Sequence, residues 1–348
     1  MKRYSEDFLR TVVTNVFLAC GSPQNEAAIV ADHLVLSSLM GVDSHGVAMI
    51  PKYVQWAKQG TVKPGAPISI IDGKGGTIVV DCNRNFGQVG ALKATEAVIR
   101  KARAHKISTV ITRNCCHVSR LGHYTQKAAE AGMFALVLVN SPIHGHRVVP
   151  FGGSEGRIAP NPISYAAPGK DHPILADMCM STIPFGKVVV HNNRGEPAPE
   201  GCIIDAAGKA TTDTAVMFQD PPGWLLPLGG SAGHKGFALL LLAEILCGTL
   251  ADTAMTDEIP DGINGFFLVV LDISAFLPLR RFRELLAEMT TYIKSSPTAD
   301  GVEEVMLPGE IEFRVLEERK KRGIPIDPAT WQQIKESADT LKVKIHDQ

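Results

Sequence analysis

Short β-branched runs alternate with helical segments through the middle of the 348-residue chain, and this alternation constrains the fold more than any other feature of the sequence. The predicted strands lie at 68–71, 77–80, 108–112, 134–140, 163–167, 174–178 and 266–271. Helical periodicity predicts helices between them at 88–104, 121–131 and 236–250. Helices that alternate with strands in this way indicate an α/β domain built on a central mixed sheet.

Both ends of the chain have helical periodicity without strands. Apolar residues repeat with helical spacing after Ser5, and Ser22-Pro23 offers an N-cap followed by proline for a second helix that runs to Gly41. Further helices are predicted at 47–58, 279–295, 309–322 and 328–340. We therefore predict a discontinuous helical domain formed by residues 1–72 and 278–348, and a central α/β domain over residues 73–277.

Charge, apolar runs and cysteine spacing exclude several classes of protein. Lys and Arg total 35 against 36 for Asp and Glu, and this balance gives no electrostatic footprint for nucleic acid or an anionic membrane. The apolar run Phe237–Leu246 contains Glu244 and is shorter than the roughly 20 residues that span a bilayer, so we expect a buried helix there. The N-terminus lacks the apolar core of a signal peptide. Seven cysteines without a paired CxxC favour reduced thiols and a cytoplasmic location.

The first candidate for chemistry is the loop Asp43-Ser44-His45-Gly46, between two predicted helices. A histidine flanked by a hydroxyl and near a carboxylate is well placed to have its tautomer and pKa set for proton transfer near neutral pH. The alternative interpretation is a helix-capping Asp-Ser pair with an incidental surface histidine. Spacing alone favours neither interpretation.

The second candidate is the segment Asn114–His123, which contains two cysteines and two histidines. Adjacent cysteines are poorly arranged to bind one zinc ion tetrahedrally, and no second pair completes a ligand set, so we expect no metal site. A polar turn between a strand and a helix is the better interpretation. Such turns are also where α/β enzymes place ligand contacts.

The third candidate is the glycine-rich run Gly229–Gly236, which opens the long apolar helix. Its glycines, the helix N-terminus and Lys235 together suit a phosphate group. The run is not a P-loop, because Gly236 follows the lysine where Ser or Thr would hold magnesium. The chain also lacks a GxGxxG between a strand and a helix, so a Rossmann site finds no support.

Taken together and in this order, the three segments closely resemble the malate/L-lactate dehydrogenase family, which does not use the Rossmann fold. The resemblance covers nearly the whole chain. The matching motifs are Asp43–Gly46, His117–Gly122, Asn161-Pro162, Asp177–Ser181 with Gly186-Lys187, His234–Gly236 and Pro308–Glu310. The branch of the family called hydroxycarboxylate dehydrogenase B is more similar still, on the segments Asp43–Pro51, Phe86–Val89, Gly323–Asp327 and on Arg120.

The resemblance implies a bent NAD molecule, with NADP possible, in a cleft of the central domain. It also implies a homodimer whose partner helps to complete the site, and a small 2-oxo or 2-hydroxy acid as substrate. The positions that match cofactor contacts of the family are His45, Ser119, Arg120, Leu121, Leu175, Ala176, Asp177, Met178, Cys179, His234, Lys235, Asn264, Gly309, Glu310, Ile311 and Glu312.

The resemblance also implies a mechanism in which His45 donates a proton to the alkoxide that forms during reduction of a 2-oxo acid. Ser44 is expected to orient His45 or relay its proton, and Lys187 and His117 to polarise the carbonyl. The alternatives are a reductase of cyclic imino acids and a non-catalytic nucleotide-binding homologue.

The expected substrate preference depends on Met49 and Arg120. Most of the family has an arginine where this chain has Met49, a departure that the hydroxycarboxylate dehydrogenase B branch shares. Arg120 is a candidate clamp for the substrate carboxylate, and Met49 a candidate apolar wall that favours acids with apolar or aromatic side chains. Two other roles for Arg120 remain open at this point, a contact to the cofactor pyrophosphate and a solvated surface position.

Overall fold

A computed structural model describes residues 1–253 and 259–346. The α-helices are α1 (Glu6–Ala19), α2 (Gln24–Leu39), α3 (Ile50–Lys58), α4 (Gly87–His105), α5 (Gly122–Glu130), α6 (Phe185–Arg194), α7 (Gly233–Ala243), α8 (Leu279–Lys294), α9 (Glu310–Arg322) and α10 (Pro328–Thr340). The strands are β1 (Lys2–Tyr4), β2 (Ser69–Asp72), β3 (Thr77–Asp81), β4 (Ile107–Arg113), β5 (Cys115–Cys116), β6 (Met133–Asn140), β7 (Ile163–Ala167), β8 (Ile174–Met178), β9 (Ile203–Ile204), β10 (Ala210–Thr211), β11 (Trp224–Leu225), β12 (Ile263–Asp272) and β13 (Ile324–Ile326).

By spatial proximity the chain divides into two compact units. The first comprises Met1–Val137, Ser164–Asp177 and Leu268–Gln348, and the second Leu138–Ile163 and Met178–Phe267. This division does not test the predicted domain boundaries at 72/73 and 277/278, which stay a prediction.

A mixed sheet is the main feature of the first unit. Its strand order is β2-β3-β4-β12-β6-β7-β8, with β5 paired to β12. The pair β2 and β3 is antiparallel, whereas β3 and β4 run parallel. Helices alternate with these strands in sequence, and α4 buries one face from Gly87 to Ala102. The predicted α/β class with a mixed central sheet is confirmed.

Helix caps explain where several helices begin. Ser5 Oγ accepts from the Phe8 amide at the start of α1, and Asp327 Oδ1 accepts from the Thr330 amide at the start of α10. The predicted cap at Ser22 is wrong, because Pro23 occupies the N-cap position of α2 and no side chain caps that helix. The predicted helix 47–58 begins as a 3₁₀ turn over Val47–Met49.

The second unit contains α6, α7 and a small antiparallel sheet in the order β10-β9-β11. Sequence periodicity did not predict α6. Helix α7 continues into a π-helical turn, Glu244–Thr249. At that turn Glu244 accepts hydrogen bonds from Asn140 Nδ2 and Asn161 Nδ2, both at 2.8 Å.

The prediction of a buried helix around Phe237–Leu246 is wrong for one of its faces. Leu239, Leu241, Leu242 and Ile245 are exposed. Within the part of the chain that is described, α7 buries only Gly233, Gly236, Leu240 and Ala243. The stretch Gly230–Thr249 is also long and apolar enough, by length and composition alone, to cross a membrane. Core helices of soluble proteins pass the same test, so this is weak support for a span.

Candidate active site

His45 lies in the first unit, at the end of a 3₁₀ turn that spans Asp43–His45. Ser44 Oγ is 3.0 Å from His45 Nδ1, so the hydroxyl holds one nitrogen of the ring. Asp43 instead pairs with Arg319 of α9, which donates to both of its carboxylate oxygens. The residue at the N-cap of this turn is Val42, without a side-chain hydrogen bond, and the helix-capping interpretation of Asp43 and Ser44 is wrong.

Gly46 allows the loop to approach α2 closely. A Cβ atom at this position would lie 2.0 Å from Ser38 Oγ. Ser38 Oγ in turn accepts from the Val47 amide at 3.0 Å. A glycine after His45 is therefore required by packing, and it holds the histidine against α2.

A second imidazole lies beside the first. The ring centroids of His45 and His117 are 5.6 Å apart with an interplanar angle of 29°. His117 follows β5, and its Nδ1 lies 2.7 Å from Tyr53 Oη on α3. Gln88 in the first turn of α4 donates to the same phenol oxygen at 2.7 Å. The structure therefore brings His45 and His117 together, and the roles predicted for them stay predictions.

Burial makes both imidazoles weak bases. It lowers the pKa of His45 below its ordinary value, and the charge of Asp177 acts against this by raising that pKa. Burial, with a smaller contribution from His45, lowers the pKa of His117 to about 3. At neutral pH His117 is therefore a neutral hydrogen-bonding group, and His45 is the group of the two that is suited to proton transfer.

Arg120 is a buried cation. Its relative exposure is 2%, and none of its three guanidinium nitrogens has a hydrogen-bond partner among the described residues. Burial lowers the pKa of Arg120, while Asp177 and Glu312 raise it. The interpretation of Arg120 as a solvated surface residue is wrong. A buried charge is normally paired and hydrogen-bonded, so this guanidinium suits an anionic ligand.

Gly122 makes room for this guanidinium. A Cβ atom there would lie 2.7 Å from Arg120 Nη2 and 3.0 Å from Leu175 Cδ2. The Gly122 amide donates to Asp177 Oδ2 at 2.7 Å, which connects the end of β8 to the start of α5. The glycine at position 122 therefore has a packing reason in this chain.

Two more histidines lie near Arg120. The ring centroids of His33 and His123 are 4.5 Å apart. Burial lowers the pKa of His123 to about 3 and also lowers that of His33, and the charge of Arg120 adds to both shifts. This cluster of histidines stays neutral around a single buried cation.

Several predicted cofactor contacts meet in the first unit. Ser119 Oγ donates to the His45 carbonyl at 2.6 Å. The Leu175 amide donates to the Pro308 carbonyl at 3.2 Å, and Gly309 packs so tightly on Leu175 that a Cβ there would lie 2.9 Å from its carbonyl oxygen. The other predicted positions in this unit are Leu121, Ala176, Asp177, Glu310, Ile311 and Glu312. The Glu310 carboxylate already accepts from Lys294 at 2.7 and 2.8 Å.

The remaining predicted residues belong to the second unit, namely Met178, Cys179, Lys187, His234, Lys235 and Asn264. Lys187 is exposed in the first turn of α6, and His234 and Lys235 are exposed in the first turn of α7. Asn264 is buried, and its Nδ2 donates to the Asn140 carbonyl and to Ser141 Oγ, both at 3.0 Å. The roles predicted for these residues stay predictions.

Sequence reasoning missed two residues of the site. Tyr53 and Gln88 form the hydrogen-bond chain behind His117, yet they are separated from each other by 35 residues and have no motif spacing. The signal that could have found them was a polar Gln88 on the buried side of a helix, where an amide needs a partner.

Neither a disulfide nor a cluster of metal ligands is found among the residues that the structure describes. All seven cysteines have free thiols. Within residues 1–253 and 259–346 there is no group of three or more His, Cys, Asp or Glu side chains that could hold a metal ion. Independence from metals is therefore a prediction for the whole protein that needs a direct test.

Comparisons with known proteins place the chain in one family. The family model described as malate/L-lactate dehydrogenase matches residues 4–335. Malate dehydrogenase of Pyrococcus horikoshii is 36% identical, over 98% of this chain and 96% of that protein. Hydroxycarboxylate dehydrogenase B of Escherichia coli K12 is 36% identical, over 97% of this chain and 93% of that protein. The solved structure of malate dehydrogenase from Pyrococcus horikoshii OT3 has a TM-score of 0.89 at 34% identity, and the match covers 99% and 97% of the two chains.

Proposed function

Because the chain belongs to the malate/L-lactate dehydrogenase family, we propose that it transfers a hydride between NAD(H) and a 2-hydroxy or 2-oxo carboxylic acid with an apolar or aromatic side chain. Membership makes it an oxidoreductase of the hydroxyacid dehydrogenase class. The observation that carries the finer proposal is the buried, unpartnered guanidinium of Arg120 in the same unit as the paired imidazoles of His45 and His117.

The residues of the first unit fit a nicotinamide dinucleotide. Arg120 supplies a cation whose nitrogens have no hydrogen-bond partner among the described residues, and both a pyrophosphate and a carboxylate satisfy such a guanidinium. When it is bound, the cofactor supplies or accepts the hydride. Arg120 holds the anionic group, whichever of the two it is, and the buried surroundings strengthen that electrostatic interaction.

His45 and His117 have different roles at the carbonyl group of the substrate. In reduction, protonated His45 donates a proton to the oxygen as it becomes an alkoxide, and in oxidation the neutral imidazole takes that proton back. Ser44 orients the ring through Nδ1, which leaves Nε2 for the substrate. Neutral His117 polarises the carbonyl oxygen by hydrogen bonding, a role that Lys187 shares in this proposal.

Met49 sets the preference for the side chain of the acid. It lies half-buried in the 3₁₀ turn that follows His45 and offers a flexible apolar surface. Phenylpyruvate-like acids pack on such a surface, whereas the second carboxylate of oxaloacetate loses its hydration there without a partner.

Oxidation of NADH and NADPH, measured against a panel of 2-oxo acids and cyclic imino acids, tests the proposal directly. We expect turnover with NADH and the apolar or aromatic 2-oxo acids. Turnover only with cyclic imines would assign the site to imine reduction. Tight binding of NADH without turnover on any member of the panel would identify a non-catalytic nucleotide-binding homologue.

A homodimer and a cytoplasmic location complete the proposed function. Helix α8 supports the dimer, because it is amphipathic and buries none of its residues within the described part of the chain. Its exposed apolar residues are Leu285, Met289, Tyr292 and Ile293. Light scattering after size-exclusion chromatography would give the mass in solution, and a mass of one chain would contradict the dimer.

A further inference from the structure

We propose that Tyr53 and Gln88 are positioning residues that fix the tautomer of His117, so that its Nε2 carries the ring proton and donates to the substrate. The inference deepens the proposed function and rests on it, since it gives His117 a defined hydrogen-bonding direction in the same site. Tyr53 lies outside the motifs that carry the family resemblance, and Gln88 lies in the segment Phe86–Val89 without a role predicted for it.

The observation behind the proposal is a chain of hydrogen bonds through buried side chains. Gln88 Nε2 donates to Tyr53 Oη at 2.7 Å, and the same oxygen lies 2.7 Å from His117 Nδ1. Tyr53 is 1% exposed and Gln88 is fully buried. The two residues come from different helices, α3 and α4, so two elements of the fold act on one imidazole.

The donor and the acceptor in each of these hydrogen bonds follow from the number of protons available. A phenol has one proton to donate, and burial raises the pKa of Tyr53, so this proton stays on the oxygen at neutral pH. Tyr53 Oη accepts from Gln88, and the acceptors within its reach are His117 Nδ1, at 2.7 Å, and Ser119 Oγ. Ser119 Oγ donates its own proton to the His45 carbonyl, and a neutral imidazole nitrogen is a stronger acceptor than a hydroxyl oxygen, so the Tyr53 proton is assigned to His117 Nδ1.

The tautomer of His117 is a consequence of this direction. With its pKa lowered to about 3, the ring is neutral and carries a single proton. Since Nδ1 accepts from Tyr53, the proton is on Nε2. A neutral Nε2–H stabilises the charge that develops on a carbonyl oxygen without giving up its proton, which leaves proton transfer to His45.

The sharpest test measures the tautomer itself. Long-range ¹H–¹⁵N correlation spectra of protein labelled at histidine distinguish a proton on Nε2 from one on Nδ1, and a His117→Asn variant identifies the signals of this ring. We expect Nε2–H in the parent protein. In Tyr53→Phe, which keeps the ring but loses the hydroxyl, we expect a mixture of tautomers or the Nδ1–H form.

Trp56→Phe is the matched control. The Trp56 ring also packs near His117, with centroids 6.1 Å apart, but the contact is one of packing alone. We expect the parent tautomer in this variant. An Nδ1–H form in the parent, or an unchanged spectrum in Tyr53→Phe, would overturn the proposal. If Tyr53→Phe does not fold, the parent spectrum alone still decides.

Kinetics then connect the tautomer to the reaction. We expect kcat for reduction to fall about 10- to 100-fold in Tyr53→Phe, a typical cost of losing a group that orients a functional histidine, with the Kd for NADH unchanged. Gln88→Met removes the donor but leaves Tyr53 in place, and we expect a smaller loss of kcat. Equal loss in Trp56→Phe and Tyr53→Phe would contradict a role through hydrogen bonding. A parent without turnover on any oxo acid would overturn the proposed function, and the spectra would still decide the tautomer.

Discussion

Nε of Arg120 and Oδ2 of Asp177 lie 4.0 Å apart, which is too far for a hydrogen bond between the two side chains. Asp177 Oδ2 accepts instead from the Gly122 amide at 2.7 Å. The carboxylate therefore stabilises the buried cation by charge alone. The guanidinium keeps its planar set of donors for an anion.

We expect Arg120→Ala to weaken binding of that anion by about 100-fold, because truncating one member of a buried, hydrogen-bonded charge pair typically costs ~2–5 kcal/mol. A raised KM for the oxo acid alone would assign the guanidinium to the substrate carboxylate, and a raised Kd for NADH alone to the cofactor. Arg100→Ala, at an exposed position of α4, is the control and should change neither value. If Arg120→Ala also changes neither, Arg120 does not bind an anion.

Replacing Arg120 should also change the stability of the folded protein. Burial of a guanidinium without hydrogen bonds costs free energy that the charge of Asp177, 4.0 Å away, offsets only in part, so Arg120→Met should raise the Tm of the ligand-free protein. Saturating NADH or oxo acid should stabilise the parent more than this variant. Differential scanning calorimetry with and without ligand checks both statements, and a lower Tm for ligand-free Arg120→Met would count against an unsatisfied guanidinium.

We expect His45→Gln to keep its fold and its affinity for NADH but to lose about 10²- to 10⁴-fold in turnover, since it removes the proton donor. In the parent, the reduction rate should fall as pH rises through the lowered pKa of His45, because the acid form donates. His105→Gln, at an exposed position in the last turn of α4, is the control. A His45→Gln variant with the parent rate would remove His45 from the mechanism.

Stability should fall in acid, and the sign follows from four histidines, His33, His45, His117 and His123. The folded state lowers the pKa of each below the ordinary value of 6.5, to about 3 for His117 and His123. The unfolded chain therefore binds more protons, and the stabilisation present above pH 6.5 is lost as pH falls toward 3. Urea unfolding between pH 4 and 8 should be less pH-dependent in His123→Gln. An equal slope in the two proteins would contradict the neutral state of His123 in the folded protein.

Met49→Arg should shift the substrate preference from phenylpyruvate toward oxaloacetate, because the new guanidinium can pair with a second carboxylate. The ratio of kcat/KM for the two acids measures the shift. Met49→Leu, which stays apolar, should preserve the parent ratio. A ratio that is unchanged in Met49→Arg would show that residue 49 does not face the substrate side chain.

Activity should survive exhaustive treatment with a chelator, since the described residues do not bring three candidate ligands together. The measurement compares NADH oxidation before and after chelation and after each divalent ion is added back. Activity that is lost and then restored by one ion would establish a metal requirement.

The sequence by itself determined most of the longer helices and strands and the positions of the functional loops. Helices α8 to α10 and strands β7 and β8 lie within about a residue of their predicted bounds, because helical periodicity, caps and β-branched runs act over neighbouring residues. Asp43–Gly46 and the turn around His117 could be recognised for the same reason, since each motif is contiguous in the chain.

Only the tertiary structure decided how those loops are used. Tyr53, the partner of His117, is 64 positions away, and Gln88, the partner of Tyr53, is 35 positions from Tyr53, so no local pattern records these contacts. The burial of Arg120 and the exposed face of α7 likewise depend on what other segments cover. Hydrogen bonds and burial that join distant segments exist only after the chain has folded, and they set the charge of each histidine and the free donors of Arg120.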